Sequence, residues 1–223
     1  MKRYGGMEKL GGKKGLRRLP GLTSRRGGFS LIELLVAMAV SLVILGAMYS
    51  VFIGQNRTFS NQESIVDVQQ SVRAGMDMIV REVGMAGYDP VRVNVDSSTA
   101  NNFNGVTVNA LQLQIKADLN GNGVIDTSNE ETIVYAFDAA NKRITRTIGS
   151  DTQPFVENVE SFTFAYLDGD GNVTTTLANV RRIRITITGR TAKPDPNYSD
   201  NSGYRTYTLT SVVAPRNLDY VDN

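Results

Sequence analysis

Asp118, Asn120 and Asn122 stand at alternate positions in the stretch ADLNGNGVIDTSNEE, residues 117–131, with Gly123 and then Asp126 behind them. All four side chains offer oxygen, a donor set that suits calcium and not zinc. The spacing opens like an EF-hand calcium loop and then departs from it. Position twelve is Asn129, and the first glutamate, Glu130, comes one residue late. No amphipathic helices flank the stretch. Two readings stand side by side: a calcium site formed by Asp118, Asn120, Asn122 and Asp126 with Glu130 as an extra ligand, or a polar turn whose Asn and Gly residues meet the backbone's own needs. The shorter DGDGN, residues 168–172, reads as a turn.

A second chemical feature lies near the amino terminus. In RRGGFSLIELLVAMAVSLVILGAMYSVFIG, residues 25–54, two arginines and two glycines stand against a long apolar run, and Glu33 is the one charge inside that run. A carboxylate at the centre of a bilayer costs about 2.5–3.5 kcal/mol or more. Four residues in from Phe29 the cost is smaller but real, so Glu33 needs a reason. Enzymatic reasons are hard to find. The chain has no His and no Cys, which removes the commonest general base, a thiolate nucleophile and the usual zinc ligands. No G-x-S-x-G and no phosphate-binding loop is present, so no enzyme is expected, and no cofactor is required.

These residues need elements to position them. The 223 residues allow one domain of ordinary size plus an appendage. Residues 1–28 hold nine basic residues and one acid, and the remainder holds 15 basic and 21 acidic residues. A basic head before an apolar run is expected on the cytoplasmic side of a membrane. Nucleic-acid binding, the other use of a basic tail, does not suit a tail joined to a membrane segment. Residues 29–53 are apolar enough, at roughly 37 Å of helix, to cross a bilayer. Ile65, Val68, Val72, Met76, Ile79, Val80 and Val83 then recur at spacings of three and four, an amphipathic stripe that continues the helix over 54–88. Gly84, Gly87 and YDP at 88–90 are stop signals. Residues 91–223 read as a β-rich head. Its short runs lie at 111–117, 131–137, 142–148, 159–167, 180–189 and 204–213, and several alternate with period two. Val180, Ile183, Ile185 and Ile187 fall largely on one face, and YLDGDGNV marks a hairpin turn. The expected fold is α+β: a long amino-terminal helix, membrane-spanning in its first half, whose second half packs on an antiparallel sheet.

GGFSLIELLVAMAVSLVIL resembles the amino-terminal signature of type IV prepilins and of the pseudopilins of type II secretion. An ordinary secretory signal has a shorter apolar stretch, with its small-residue cleavage site after that stretch. The resemblance implies that residues 1–28 are a leader cut after Gly28 by a prepilin peptidase. The same enzyme would methylate the new amino terminus, Phe29. It places the family's acid on Glu33, which would pair with the Phe29 amine of a neighbouring subunit as the filament assembles. SVRAGMDMIVREVGMAGYDP, VESFTFAYLDGDGNV, VRRIRITITGR and YTLTSVVAPRNL are similar to the PilW-like minor pilins. The implied function is a minor pilin that helps initiate, assemble or cap a type IV pilus. A minor pseudopilin of type II secretion, resembling the J component, is the alternative, and a signal-anchored monomer with a calcium loop is a third reading. The implied partners are other pilins through the amino-terminal helix, the prepilin peptidase, and the inner membrane before assembly, with the head outside the cytoplasm and then at the cell surface.

Overall fold

The structure, a computed structural model, describes residues 27–93 and 103–218. Most of the expected leader, and parts of the expected head at 94–102 and 219–223, lie outside the described residues. The chain divides into two units, one ending at Phe52 and the other beginning at Ile53. A single helix, α1 (Leu31–Gly84), supplies residues to both. Its 54 residues extend about 81 Å.

In the first unit every side chain from Leu31 to Phe52 is exposed. Ser41, near the middle of this run, donates its hydroxyl to the Ala37 carbonyl at 2.7 Å. That internal bond lets a serine sit among apolar neighbours without needing water.

In the second unit α1 buries Val68, Val72, Gly75, Met76, Ile79, Glu82 and Val83. This is the stripe read from the sequence, with Ile65 and Val80 half-buried at its margins and with Gly75 and Glu82 added. The helix stops at Gly84 and the chain turns. Met85 and Ala86 donate to the Glu82 and Val83 carbonyls, and Gly87 adopts φ +80°. A Cβ at Gly87 would lie 2.7 Å from the Asn217 carbonyl oxygen.

Among the described residues eight strands follow: β1 (Val106–Thr107), β2 (Gln112–Lys116), β3 (Thr132–Asp138), β4 (Arg143–Ile148), β5 (Asp151–Glu157), β6 (Val159–Leu167), β7 (Arg182–Arg190) and β8 (Thr206–Val213). They form two sheets, β1-β2-β3-β4-β5 and β6-β7-β8. Every pairing is antiparallel. Where the sequence suggested one sheet, the chain breaks the ladder at Asn158. This residue, between β5 and β6, has φ 56°, an αL geometry that asparagine tolerates better than most residues. Val159 then donates to the Lys142 carbonyl, and Arg190 to the Asn158 carbonyl. YLDGDGNV forms a tight turn that bridges Leu167 to Val173. The path to β7 continues through a further short helical turn at Leu177–Asn179.

One apolar core joins α1 to both sheets. Ile183, Ile185 and Ile187 of β7, Leu113 of β2, Tyr135 of β3 and Ile144 of β4 are fully buried. Each large apolar side chain contributes about 1.5–3 kcal/mol. Two glycines allow close approach. A Cβ on Gly75 would collide with Val156 of β5, and one on Gly189 of β7 would meet Val72 at 2.6 Å and Val68 at 2.8 Å.

Candidate functional site

Gly27 and Gly28 precede the helix in irregular, exposed backbone, and a Cβ at either would meet nothing within 4 Å. Phe29 is 87 % exposed. Among the described residues nothing crowds the bond after Gly28. Helix α1 begins one residue after Ser30, whose carbonyl accepts the first helical bond, from Leu34, at 3.1 Å. The Ser30 hydroxyl accepts the Ile32 N–H at 3.3 Å. Glu33 reaches back, and its Oε2 accepts the Ser30 N–H at 3.2 Å. This is a variant of the capping box, S-x-x-E at the start of an apolar run, with the serine taking the second helical N–H in place of the third. It uses one carboxylate oxygen and places negative charge on the positive end of the helix dipole. Glu33 thus serves its own helix. The sequence signal for this cap is Ser30, three residues before Glu33.

The head contains a second acid on the same helix. Glu82, on the core side of α1, accepts from Tyr135 Oη at 2.5 Å through Oε2 and from Arg146 Nη2 at 2.8 Å through Oε1. Both ends of the ion pair are largely buried. Burial, and then the bond to Glu82, pushes the Tyr135 hydroxyl far above its ordinary range, so it stays a donor throughout the physiological range. Glu82 thereby ties α1 to β3 and β4. Neighbouring pairs are wetter: Lys142 with Glu160 at 2.9 Å, and Arg190 with Glu160 at 3.4 Å. Lys142, more than Arg190, holds the Glu160 carboxyl below its usual range.

The loop between β2 and β3 is organised by two buried carboxylates. Asp118 accepts from the Gly121 N–H at 2.7 Å and the Gly123 N–H at 2.9 Å. Glu131 accepts from Leu119, Asn120 and Asp126 N–H groups at 3.1, 3.0 and 2.9 Å. Gly121 and Gly123 take φ 73° and 77°, a region that favours glycine. Asn120 and Asn122 face outward and accept the Asn122 and Val124 N–H groups, while Asp126 accepts from Asn129 at 3.3 Å. Among the described residues no group of three or more acidic side chains is placed to hold a metal ion. The glutamate that enters the loop is Glu131, and Glu130 stays exposed. Asp118→Ala is expected to cost about 1–3 kcal/mol, because two loop N–H groups lose their acceptor, read as a lower melting midpoint of the full chain in chelator. The same melts in millimolar calcium test calcium binding by Asp118, Asn120, Asn122 and Asp126. A rise with calcium that Asp118→Ala abolishes supports it, and equal midpoints end it.

An exposed apolar helix with an acid in its first turn, joined to a head of antiparallel sheets, defines a type IV pilin-like protein. A family model described as the prokaryotic N-terminal methylation motif matches residues 23–49. The model described as prepilin peptidase-dependent protein B matches residues 61–214, and the chain belongs to that family. Among solved structures it is similar to a type IV-like pilin, TTHA1219 from Thermus thermophilus, with 13% sequence identity and a TM-score of 0.41. That match covers 67% of this chain and 96% of the other. No curated protein matches the sequence.

Proposed function

We propose that this chain is a minor pilin, a structural and non-catalytic subunit that helps initiate, assemble or cap a type IV pilus. The observation that carries the proposal is the start of α1. Glu33 lies in the first turn of a helix whose side chains from Leu31 to Phe52 are all exposed, close to the Gly28–Phe29 bond. An apolar surface of that length needs either lipid or other helices around it. Before assembly the inner membrane supplies the lipid, with the basic leader on the cytoplasmic side and the head outside. During assembly other pilins supply the helices. Glu33 keeps one oxygen engaged with Ser30 and offers the other to the amine of a neighbour's Phe29. In a dry helical bundle an unpaired charge is penalised heavily, so the pair sets the axial register of the incoming subunit.

Prepilin peptidase is expected to cut after Gly28, leaving 195 of the 223 residues with an N-methylated Phe29. Mass spectrometry of the amino terminus in membranes containing active peptidase reads this directly. A retained leader, or a cut beyond the first turns of α1, removes the proposal. Deleting the gene separates the two kinds of filament: loss of surface pili supports a minor pilin, and loss of protein secretion with pili intact supports a minor pseudopilin.

A further inference from the structure

Among the described residues the two sheets of the head have four edges, and three of them are blunted. β1 is two residues long. β5 carries Pro154 at its centre, Asp151 and Glu157 at its ends and a register shift against β4. β6 bulges at Glu160 and closes against the other sheet, with Val159 bonded to the Lys142 carbonyl and the Tyr166 hydroxyl bonded to the Thr107 carbonyl. β8 has none of these devices. Its sequence TYTLTSVV contains no charge, no proline and no glycine, and it pairs with β7 in unbroken register from Thr206 to Val213. Among the described residues no strand lies beyond it.

Proteins guard long edges because the outward N–H and C=O groups recruit other strands. An eight-residue antiparallel edge presents about four of each. The side chains of β8 make the vacancy amphipathic. Tyr207 and Leu209 pack on the core yet stay half-buried, while Thr206, Thr208, Thr210 and Val212 are exposed on the other face. The hydroxyls of Thr208 and Thr210 already pair with Thr188 and Thr186 of β7 at 2.9 and 3.0 Å, which holds the edge flat against its neighbour. Arg184, opposite Val212 on β7, is exposed and has no carboxylate partner among the described residues.

We infer that the β8 edge takes up an extended strand of another pilin-like subunit, with apolar side chains at alternate positions over Tyr207 and Leu209 and an acid within reach of Arg184. Main-chain bonds supply the affinity of such strand addition and the alternate side chains supply its specificity. The kind of partner rests on the proposed pilus role, whereas the edge itself does not.

The test places p-benzoylphenylalanine at Thr208 or at Thr210 in the full chain, with exposed Thr175 as control, and irradiates piliated cells. Crosslinks from 208 and 210 but not 175, mapping to one alternating segment of another pilin-like subunit, are expected. Val212→Asp, which would occupy Arg184 and repel the partner's acid, should cut their yield about tenfold, as a lost 1.4 kcal/mol does, without moving the melting midpoint, and Val212→Thr should preserve them. Absence of crosslinks, yields indifferent to Val212→Asp, or crosslinks only to a second copy of this chain overturn the inference. A strand of a protein lacking the apolar amino-terminal helix, captured in the same register, keeps the strand addition and removes the pilus role.

Discussion

Glu82→Ala should lower the melting midpoint of the chain by about 6–20 °C. The substitution leaves Arg146 largely buried with no carboxylate, and breaking a buried pair from one side costs about 3–5 kcal/mol. Each kcal/mol shifts the midpoint of a domain of this size by about 2–4 °C. Arg146 has little slack, because its Nε is already buried without a hydrogen-bond partner. The Tyr135 hydroxyl also loses its acceptor. Tyr135→Phe removes one donor and leaves the ion pair, so its cost should be smaller, about 1–3 kcal/mol. The double change Glu82→Leu with Arg146→Met should recover much of the loss, since apolar residues of similar volume replace a buried ion pair well. Thermal melts followed by circular dichroism rank the four proteins. A Glu82→Ala chain as stable as the double variant would show that Arg146 escapes to water and that the clamp holds nothing.

Removing the charge from Glu33 should exclude the chain from filaments while sparing its insertion and cleavage. Glu33→Val deletes both the charge and the cap on Ser30. Glu33→Gln keeps an oxygen to accept the Ser30 N–H and deletes only the charge. Both variants are expected to fall at least about a hundredfold in sheared surface fractions relative to total protein, the factor that about 3 kcal/mol represents. Immunoblots of the two fractions measure it. Normal incorporation of the glutamine variant alongside failure of the valine variant would assign Glu33 to the helix cap and not to a neighbour's amine.

The long helix was legible because its signals are redundant: an apolar run, a stripe at helical spacing and glycine stops. The strands with β-branched alternation, such as β6 and β7, were legible for the same reason. β5 was not, because Pro154 and the charged ends of DTQPFVE look like a loop. The proline is tolerated because β5 lies at a sheet edge, where a missing N–H breaks no ladder. β1 is too short to leave a pattern. The division into two sheets was hidden in one asparagine, whose backbone geometry has no composition signature. Glu82 was missed because an acid inside a helical stripe reads as its border. Only the fold reveals that Arg146, 64 positions later, meets it. In the loop before β3 the EF-hand template pointed to Glu130, one residue short. Glu131 is the one drawn inward, by three loop N–H groups, while Glu130 stays exposed.

Gly75 and Gly189 act as separate spacers under one beam. Gly75 sets the gap between α1 and the five-stranded sheet, and Gly189 sets it on the three-stranded side. An alanine at Gly189 would push on Val68 and Val72 alone, a shim beneath one side, and α1 would tilt within the head instead of lifting evenly. The seating of the helix's second half on its two sheets can therefore be adjusted by single methyl groups at two positions, without rewriting the core between them.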